Sequence, residues 1–285
     1  MIEVSNISFK YAGQKDLVFD DFSLRLEEGN IYGLLGKNGT GKSTLLYLIS
    51  GLLRPTAGSV CITTGASSSA AGSVSCDTIA AHERRVEILQ ELFLVPEEFD
   101  LPQMTLDRYV RLNAPFYPRF SREVMDRCLT DFELDTRLDL SALSMGQKKK
   151  VFMSFALAAG TRYLLMDEPT NGLDIPSKSQ FRRVVAQNMS DERTILISTH
   201  QVHDVEALLD HILILSQRAL LLDAPVADLT ARYTFSYRSV DDGSAVVYSE
   251  PALQGRAVMV ERREGDAETQ LNLELLFNAV TKGQL

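Results

Sequence analysis

Eight consecutive residues, Gly36, Lys37, Asn38, Gly39, Thr40, Gly41, Lys42 and Ser43, fit the pattern Gly-x-x-x-x-Gly-Lys-Ser/Thr, and Thr44 follows them. The pattern suits phosphate chemistry. Glycines let backbone N–H groups turn inward around phosphate oxygens, and a helix starting at Lys42 adds the positive end of its dipole. Lys42 then supplies a point charge to the β- and γ-phosphates, and the Ser43 hydroxyl can ligate Mg²⁺. Further on, Leu164-Leu165-Met166-Asp167-Glu168 is an apolar run ending in two carboxylates. Ligands collect at the carboxyl ends of parallel strands, so Asp167 is placed to bind Mg²⁺ through its water shell and Glu168 to polarise an attacking water. Alone, that run is an ordinary acidic strand end; the phosphate loop in the same chain selects the chemical reading. Between the two lies Leu143-Ser144-Met145-Gly146-Gln147, just before a long helical pattern. Ser144 and Gly146 at a helix start offer a hydroxyl and backbone N–H groups, a second phosphate-binding geometry.

These residues need a scaffold that brings distant strand ends together. Residues 31–35 read as a short buried strand, 36–41 as a tight loop, and 42–50 as a helix stopped by Gly51 with Pro55 beyond it. Residues 163–166 and 194–198 are further continuous apolar runs, with a helical pattern over 176–189 between them. Buried strands alternating with helices predict a parallel sheet covered on both faces. Residues 63–75, rich in Ser, Ala, Gly and Thr, predict a surface loop between edge strands. Residues 105–139 read as a helical insert, broken at Pro115 and Pro118 and restarted by Ser121 as an N-cap. After Pro225 the runs 234–238, 245–248 and 257–260 predict short strands, with turns at Asp242-Gly243 and Gly265, and 271–281 predicts an amphipathic helix. No internal repeat is visible.

Composition limits the functional classes. A length of 285 residues suggests about two domains or one large one. The net charge, 29 − 38 = −9, argues against a protein that binds nucleic acid by bulk electrostatics. Cys61, Cys76 and Cys128 are sparse and outside Cys-x-x-Cys pairs, which points to a reducing compartment rather than a disulfide or zinc scaffold. The N-terminus lacks a secretory pattern. The most apolar windows, 151–159 (interrupted by Ser154) and 212–222 (interrupted by Ser216, Gln217 and Arg218), fall short of a spanning helix, so a membrane would enter only through a partner. His200 and His203 have i,i+3 spacing and His211 lies nearby, but no third metal ligand is evident. The run Lys148-Lys149-Lys150 reads as a solvated helix face.

Taken in order, the phosphate loop, Leu-Ser-x-Gly-Gln, Asp167-Glu168-Pro169-Thr170, Gly172-Leu173-Asp174 and Thr199-His200 make the chain resemble the ATP-binding subunit of an ABC transporter over roughly residues 1–224. The resemblance implies an α/β fold: a P-loop NTPase sheet with an antiparallel β edge, a helical insert at about 99–160, and a small β-rich accessory region over 225–285. It implies ATP and Mg²⁺ as cofactors, with Ser43 and Asp167 toward the metal and Glu168 and His200 as catalytic residues, His200 at the γ-phosphate. It implies Tyr11 stacked on adenine. It also implies a head-to-tail dimer, with a second copy or a related chain, in which each ATP lies between one subunit's phosphate loop and Ser144, Met145, Gly146 and Gln147 of the other, Asp174 communicating between them. Met145 departs from the family's glycine. Glu97, in Val95-Pro96-Glu97-Glu98, stands where the family has a glutamine reaching Mg²⁺. That segment, the lysine run and Leu273-Glu274-Leu275-Leu276-Phe277 resemble a bacterial exporter-like branch. The expected function is ATP hydrolysis that powers a separate membrane permease exporting a small molecule or drug. The chain would then be cytoplasmic, peripheral on the inner membrane, with a docking groove carried by residues 99–139 and no nucleic-acid partner. The alternatives are a soluble ATPase of the same family, as in iron–sulfur assembly, and a non-hydrolysing regulator, against which Glu168 and His200 stand.

Overall fold

The computed structural model describes residues 1–64, 67–68, 74–75, 78–216, 218–238, 246–253, 255–263 and 265–285. The first part of the chain gives β1 (Ile2–Phe9), β2 (Phe19–Leu26), β3 (Ile31–Leu35), α1 (Lys42–Ile49), β4 (Ala57–Thr63), β5 (Ser67–Ser68), β6 (Val74–Ser75), β7 (Thr78–Ala80), α2 (Val86–Glu91) and β8 (Leu92–Val95). The middle gives α3 (Leu106–Asn113), α4 (Arg122–Asp131), α5 (Met145–Ala158), β9 (Tyr163–Asp167), α6 (Ile175–Gln187), β10 (Thr194–Thr199) and α7 (Val202–Val205). The rest gives β11 (His211–Ser216), β12 (Ala219–Pro225), α8 (Val226–Arg232), β13 (Tyr233–Arg238), β14 (Tyr248–Ala252), β15 (Gly255–Glu261) and α9 (Leu273–Thr281).

The central sheet has the order β12-β11-β3-β10-β9-β8. All neighbours are parallel except the β12 edge. Its inner strands β3, β9 and β10 are buried along their whole length because successive side chains enter different cores, whereas the β12 edge alternates between exposed and half-buried residues. Ile31, Leu164, Met166, Ile195 and Ile197 face a core with α5, α6 and the helical insert. Tyr32, Leu34, Leu165, Leu196 and Leu213 face a second core with α1 and the antiparallel sheet β2-β1-β4-β7. Register aligns the carboxyl ends: Thr199 pairs with Leu35, Ser198 with Asp167, and Met166 with Val95. The loops leaving β3, β8, β9 and β10 therefore emerge side by side.

The helical insert forms as the prolines dictate. α3 ends at Asn113, a short helical turn holds Pro115, and α4 restarts after Ser121, whose hydroxyl accepts from Val124 N at 3.2 Å. The far end of α5 is fastened by buried Arg193, which donates to the carbonyls of Leu157, Thr161 and Asn188 at 3.0, 3.0 and 2.9 Å. One side chain thus closes the last turns of α5 and α6.

Two expectations need correction. Residues 63–75 are not simply a loop: the backbones of β5 and β6 pair antiparallel, Ser67 opposite Ser75 and Ser68 opposite Val74. Residues 65, 66 and 69–73, with Cys76, lie outside the described residues. The predicted strand 245–248 is displaced. Tyr248 opens β14, and pairing of Tyr248 with Met259 and Ala252 with Gly255 sets its register by the turn into β15 rather than by upstream polarity. Ala245, the Asp242-Gly243 turn and Gln217 lie outside the described residues. The sheet β13-β15-β14 and α9 follow, with Leu273, Leu276 and Ala279 buried in the core that also holds the insert. Among the described residues no helix is long and apolar enough to cross a membrane.

Candidate functional site

The phosphate loop joins β3 to α1. Gly36 is required by space: a Cβ there would sit 2.6 Å from Thr40 Oγ1 and 2.7 Å from the Leu215 carbonyl. Gly41 is required by backbone: it caps α1 at φ 101°, which L side chains avoid. The amides of Lys42, Ser43 and Thr44 head α1, a helix whose N-terminus attracts anions. Lys42 is buried and donates through Nζ to the carbonyls of Gly36 and Lys37, at 2.8 and 3.3 Å. Burial lowers its pKa against the opposing pull of Glu168, Asp167 and Glu97. A cavity of about 390 Å³ is lined here by Tyr11, Asn38, Gly39, Gly41, Lys42, Ser43, Thr44, Glu97 and Glu168. Tyr11 stands at its edge, with its hydroxyl 3.0 Å from Thr44 Oγ1 and its ring edge-on to Phe9.

Asp167 ends β9 and Glu168 begins the turn after it. The Glu168 amide donates to Ser198 O at 2.8 Å, and its φ is +44°. The carboxylate is held by the end of β10. Oε2 accepts from Thr199 Oγ1 at 2.9 Å; Oε1 accepts from the His200 amide at 3.0 Å and lies 2.7 Å from His200 Nδ1. Lys42 Nζ is 3.9 Å from Oε1. A carboxylate held by fixed donors near a phosphate loop is arranged to accept a proton from water.

Asp167 is 1% exposed, and its Oδ1 has no hydrogen-bond partner. Burial raises its pKa, opposed by the hydroxyls of Ser43 and Ser198. An orphaned carboxylate oxygen beside a serine hydroxyl is a hard-oxygen pair, which fits Mg²⁺. Among the described residues no group of three His, Cys, Asp or Glu side chains could hold a metal unaided. The ion would therefore need phosphate oxygens as well, as Mg²⁺ sites usually do. His203 instead meets Glu274 at 2.9 Å, and His211 meets Asp223 at 2.5 Å.

Glu97, two residues past β8, accepts from Asn171 Nδ2 at 2.9 Å, and Asn171 Oδ1 accepts from Gln201 Nε2 at 3.1 Å. The loops after β8, β9 and β10 are thus joined by side chains. Glu97 also lines a second cavity, of about 620 Å³, with Glu98, Phe99, Met145, Gly146, Lys149, Asn171 and Gly172.

The 143–147 element forms the start of α5. Ser144 Oγ accepts from Gln147 N at 3.3 Å, and Gln147 Oε1 accepts from Ser144 N at 3.0 Å, a reciprocal cap. The Ser144 hydroxyl proton stays free to donate. Met145 is 64% exposed. Asp174 caps α6 by accepting from Ser177 N at 2.9 Å, and this bonding lowers its pKa. The next residue, Ile175, is 84% exposed.

The solvated-face reading of the lysine run fails at Lys149. Lys148 pairs with Asp100 at 3.2 Å, and Lys150 bonds the Phe132 carbonyl and Gln180. Lys149 is 5% exposed and donates to the carbonyls of Glu168 and Asn171, both at 2.9 Å. The sequence reading also assigned nothing to Asn171, Gln201 or the Thr199 hydroxyl. Thr199 and Asn171 sit beside recognised residues; Gln201 had no signal beyond following His200.

A sequence profile described as ABC transporter matches residues 19–171. The bacitracin transport ATP-binding protein BcrA of Bacillus licheniformis is 28% identical, with 88% of this chain and 78% of that protein covered. The methionine import ATP-binding protein MetN of Carboxydothermus hydrogenoformans is 30% identical, with 80% and 67% covered. A solved ATP-binding subunit of an ABC transporter is 26% identical and superposes with a TM-score of 0.67, over 80% of this chain and 91% of that one. A dimeric post-hydrolysis structure of the cassette MJ0796, bound to ADP and Pi, shares the fold at 23% identity and a TM-score of 0.65, over 79% and 98%.

Proposed function

This chain belongs to the ABC transporter family as an ATP-binding, ATP-hydrolysing subunit, and on that premise we propose that it drives a separate membrane permease that exports a small molecule. The observation that carries the permease reading is an apolar groove of about 530 Å³ beside the sheet, lined by Leu52, Val86, Leu89, Phe93, Phe116 and Tyr117 among others. Val86 and Phe116 are 63% and 67% exposed there. Exposed apolar side chains around a concave surface suit a short amphipathic helix of a partner. The insert supplies residues 115–117 of this groove and α2 and β8 supply the opposite wall, so the groove is shared rather than carried by the insert alone. Outward transport rests on the resemblance of residues 95–98, the lysine run and residues 273–277 to the exporter-like branch.

Hydrolysis follows from the residues described. The amides at the start of α1 and the Lys42 ammonium stabilise the phosphate oxygens. Ser43 and Asp167 would hold Mg²⁺, which supplies neutralisation of phosphate charge when bound. Glu168 accepts a proton from water as that water's oxygen bonds the γ-phosphorus and the β–γ bridging bond breaks, and His200 and Thr199 keep the carboxylate aimed. Ser144 and Gly146 complete the site of a second subunit in a head-to-tail dimer, with the Ser144 proton donated to a γ-phosphate oxygen. The chain would lie on the cytoplasmic face of the membrane through the permease.

The test is sedimentation with inverted membrane vesicles from the source cells. The wild-type chain is expected to sediment, and the double variant Val86→Asp, Phe116→Asp to stay in the supernatant while still binding ATP. Equal sedimentation of both, or wild-type binding that survives proteolysis of vesicle surface proteins, removes the permease reading and favours a soluble ATPase.

A further inference from the structure

The turn that carries Glu168 sits in a conformation that needs support. A φ of +44° is unusual for glutamate and persists only where neighbours hold the backbone. On one side the Glu168 amide is fixed to Ser198 O in β10. On the other its carbonyl accepts from Asn171 N at 3.1 Å and from Lys149 Nζ at 2.9 Å. Lys149 also bonds the Asn171 carbonyl, so a single ammonium spans both ends of the turn 168–171. Asn171 in turn holds Glu97 and Gln201.

The placement of that ammonium is notable chemically. It is buried, and both of its bonds go to neutral carbonyls rather than to a carboxylate. The field of Glu97, Glu168 and Asp167 favours its charge, while burial lowers its pKa. A buried ammonium must find acceptors, and both of those that Lys149 finds lie at the two ends of the turn carrying Glu168. Lys149 is also the fifth residue of α5, one turn from Met145 and Gly146, and it lines the 620 Å³ cavity with both.

We propose that Lys149 is a positioning residue for ATP hydrolysis: by spanning the Glu168 and Asn171 carbonyls it fixes the turn that aims the Glu168 carboxylate, and it ties that turn to the start of α5. This rests on the reading of Glu168 as the proton acceptor. Displacement at Met145 and Gly146 then reaches Glu168 through one side chain.

The test is steady-state ATPase kinetics of Lys149→Gln, alone and combined with Glu168→Gln. Lys149→Gln is expected to lower kcat at least about tenfold, because small misplacement of a reacting group is costly. KM for ATP should stay within about threefold, since phosphate binding is left to the loop. In the Glu168→Gln background the same substitution is expected to add no further loss, because its effect runs through the missing carboxylate. Wild-type kcat in a folded Lys149→Gln protein, or equal losses in both backgrounds, overturns the proposal. Should Lys149→Gln fail to fold, Lys149→Arg, which keeps the charge but displaces it, decides by the same cycle: a kcat loss that vanishes beside Glu168→Gln supports the proposal, and no loss or an additive one overturns it. Wild-type hydrolysis by Glu168→Gln alone defeats the reading of Glu168 instead, whereas an inactive Glu168→Gln beside an unaffected Lys149→Gln defeats only this inference.

Discussion

Both oxygens of the Glu168 carboxylate have donors within the chain, and the group is buried at the ends of β9 and β10. At the starts of α5 and α6, Met145 and Ile175 stand largely exposed. The polar residues beside them are satisfied locally, Ser144 by Gln147 and Asp174 by Ser177. The contrast separates two kinds of site. The first is finished by this chain and fixes geometry for chemistry. The second is stable by itself, costs nothing to leave uncovered in hydrogen bonds, and offers apolar contact plus a spare hydroxyl proton. That is what a surface needs if it is to be covered only while nucleotide is present.

The comparison is broken most severely at Glu168. Glu168→Gln is expected to lower kcat by about 10²–10⁴-fold, the range for a lost general base, while ATP binding survives and an ATP-dependent dimer persists on size-exclusion chromatography. Hydrolysis at the wild-type rate would place the proton acceptor elsewhere. Lys42→Ala should come next. Losing a buried charge-assisted contact to phosphate predicts ATP affinity weaker by roughly 10–100-fold, measured by titration with a fluorescent ATP analogue. Affinity within a few-fold of wild type would detach Lys42 from the phosphates.

The exposed face should respond differently. Gly146→Asp puts a carboxylate where a partner's phosphate is expected, and like charges repel. Each chain's own loop is untouched, so ATP binding is expected within about threefold of wild type, while hydrolysis falls at least about tenfold and the ATP-dependent dimer is lost. Retained dimerisation in light scattering would show that 143–147 does not face nucleotide. The smallest effect belongs to Glu97. Its carboxylate already accepts from Asn171, so Glu97→Gln removes charge but keeps a hydrogen-bonding group. A few-fold rise in the Mg²⁺ concentration needed for half-maximal ATPase is expected, because a charged oxygen is the better Mg²⁺ ligand. Superimposable Mg²⁺ titrations would remove Glu97 from the metal's surroundings.

What the sequence made legible was local. The phosphate loop, β3 and α1 are recognisable because Gly36 must clear Thr40, Gly41 must cap α1 at positive φ and Lys42 bonds the Gly36 and Lys37 carbonyls, all inside the motif, although Gly36 must also clear the Leu215 carbonyl, which the sequence does not show. Asp167 and Glu168 are recognisable because an apolar strand must end where charge begins. Lys149 was hidden because a run of three lysines has the composition of a solvated face. Its helical period gave no clue either: buried residues follow Lys148, Lys149 and Lys150 alike at helical spacing, Phe155 for the first, Met153 and Ala156 for the second, Ser154 and Leu157 for the third. The network Glu97–Asn171–Gln201 could not be read at all, because it joins loops from three strands whose alignment is set only by sheet order. The register of β14 was missed for a related reason, since pairing with β15 rather than its own polarity decides it.

Arg193 gives α5 a fixed end. Its bonds to the carbonyls of Leu157, Thr161 and Asn188 anchor the helix where it meets the base of the sheet. Twelve residues at ~1.5 Å each place Met145 ~18 Å from that anchor, and Lys149 ~12 Å from it. A tilt of ~3° would carry Met145 through ~0.9 Å and Lys149 through ~0.6 Å, by the arithmetic of a rigid rod of that rise. Lys149 stands about two-thirds of the way from that anchor to the tip, so any tilt of α5 about its fixed end would move the helix axis at Lys149 by about two-thirds of the movement at Met145.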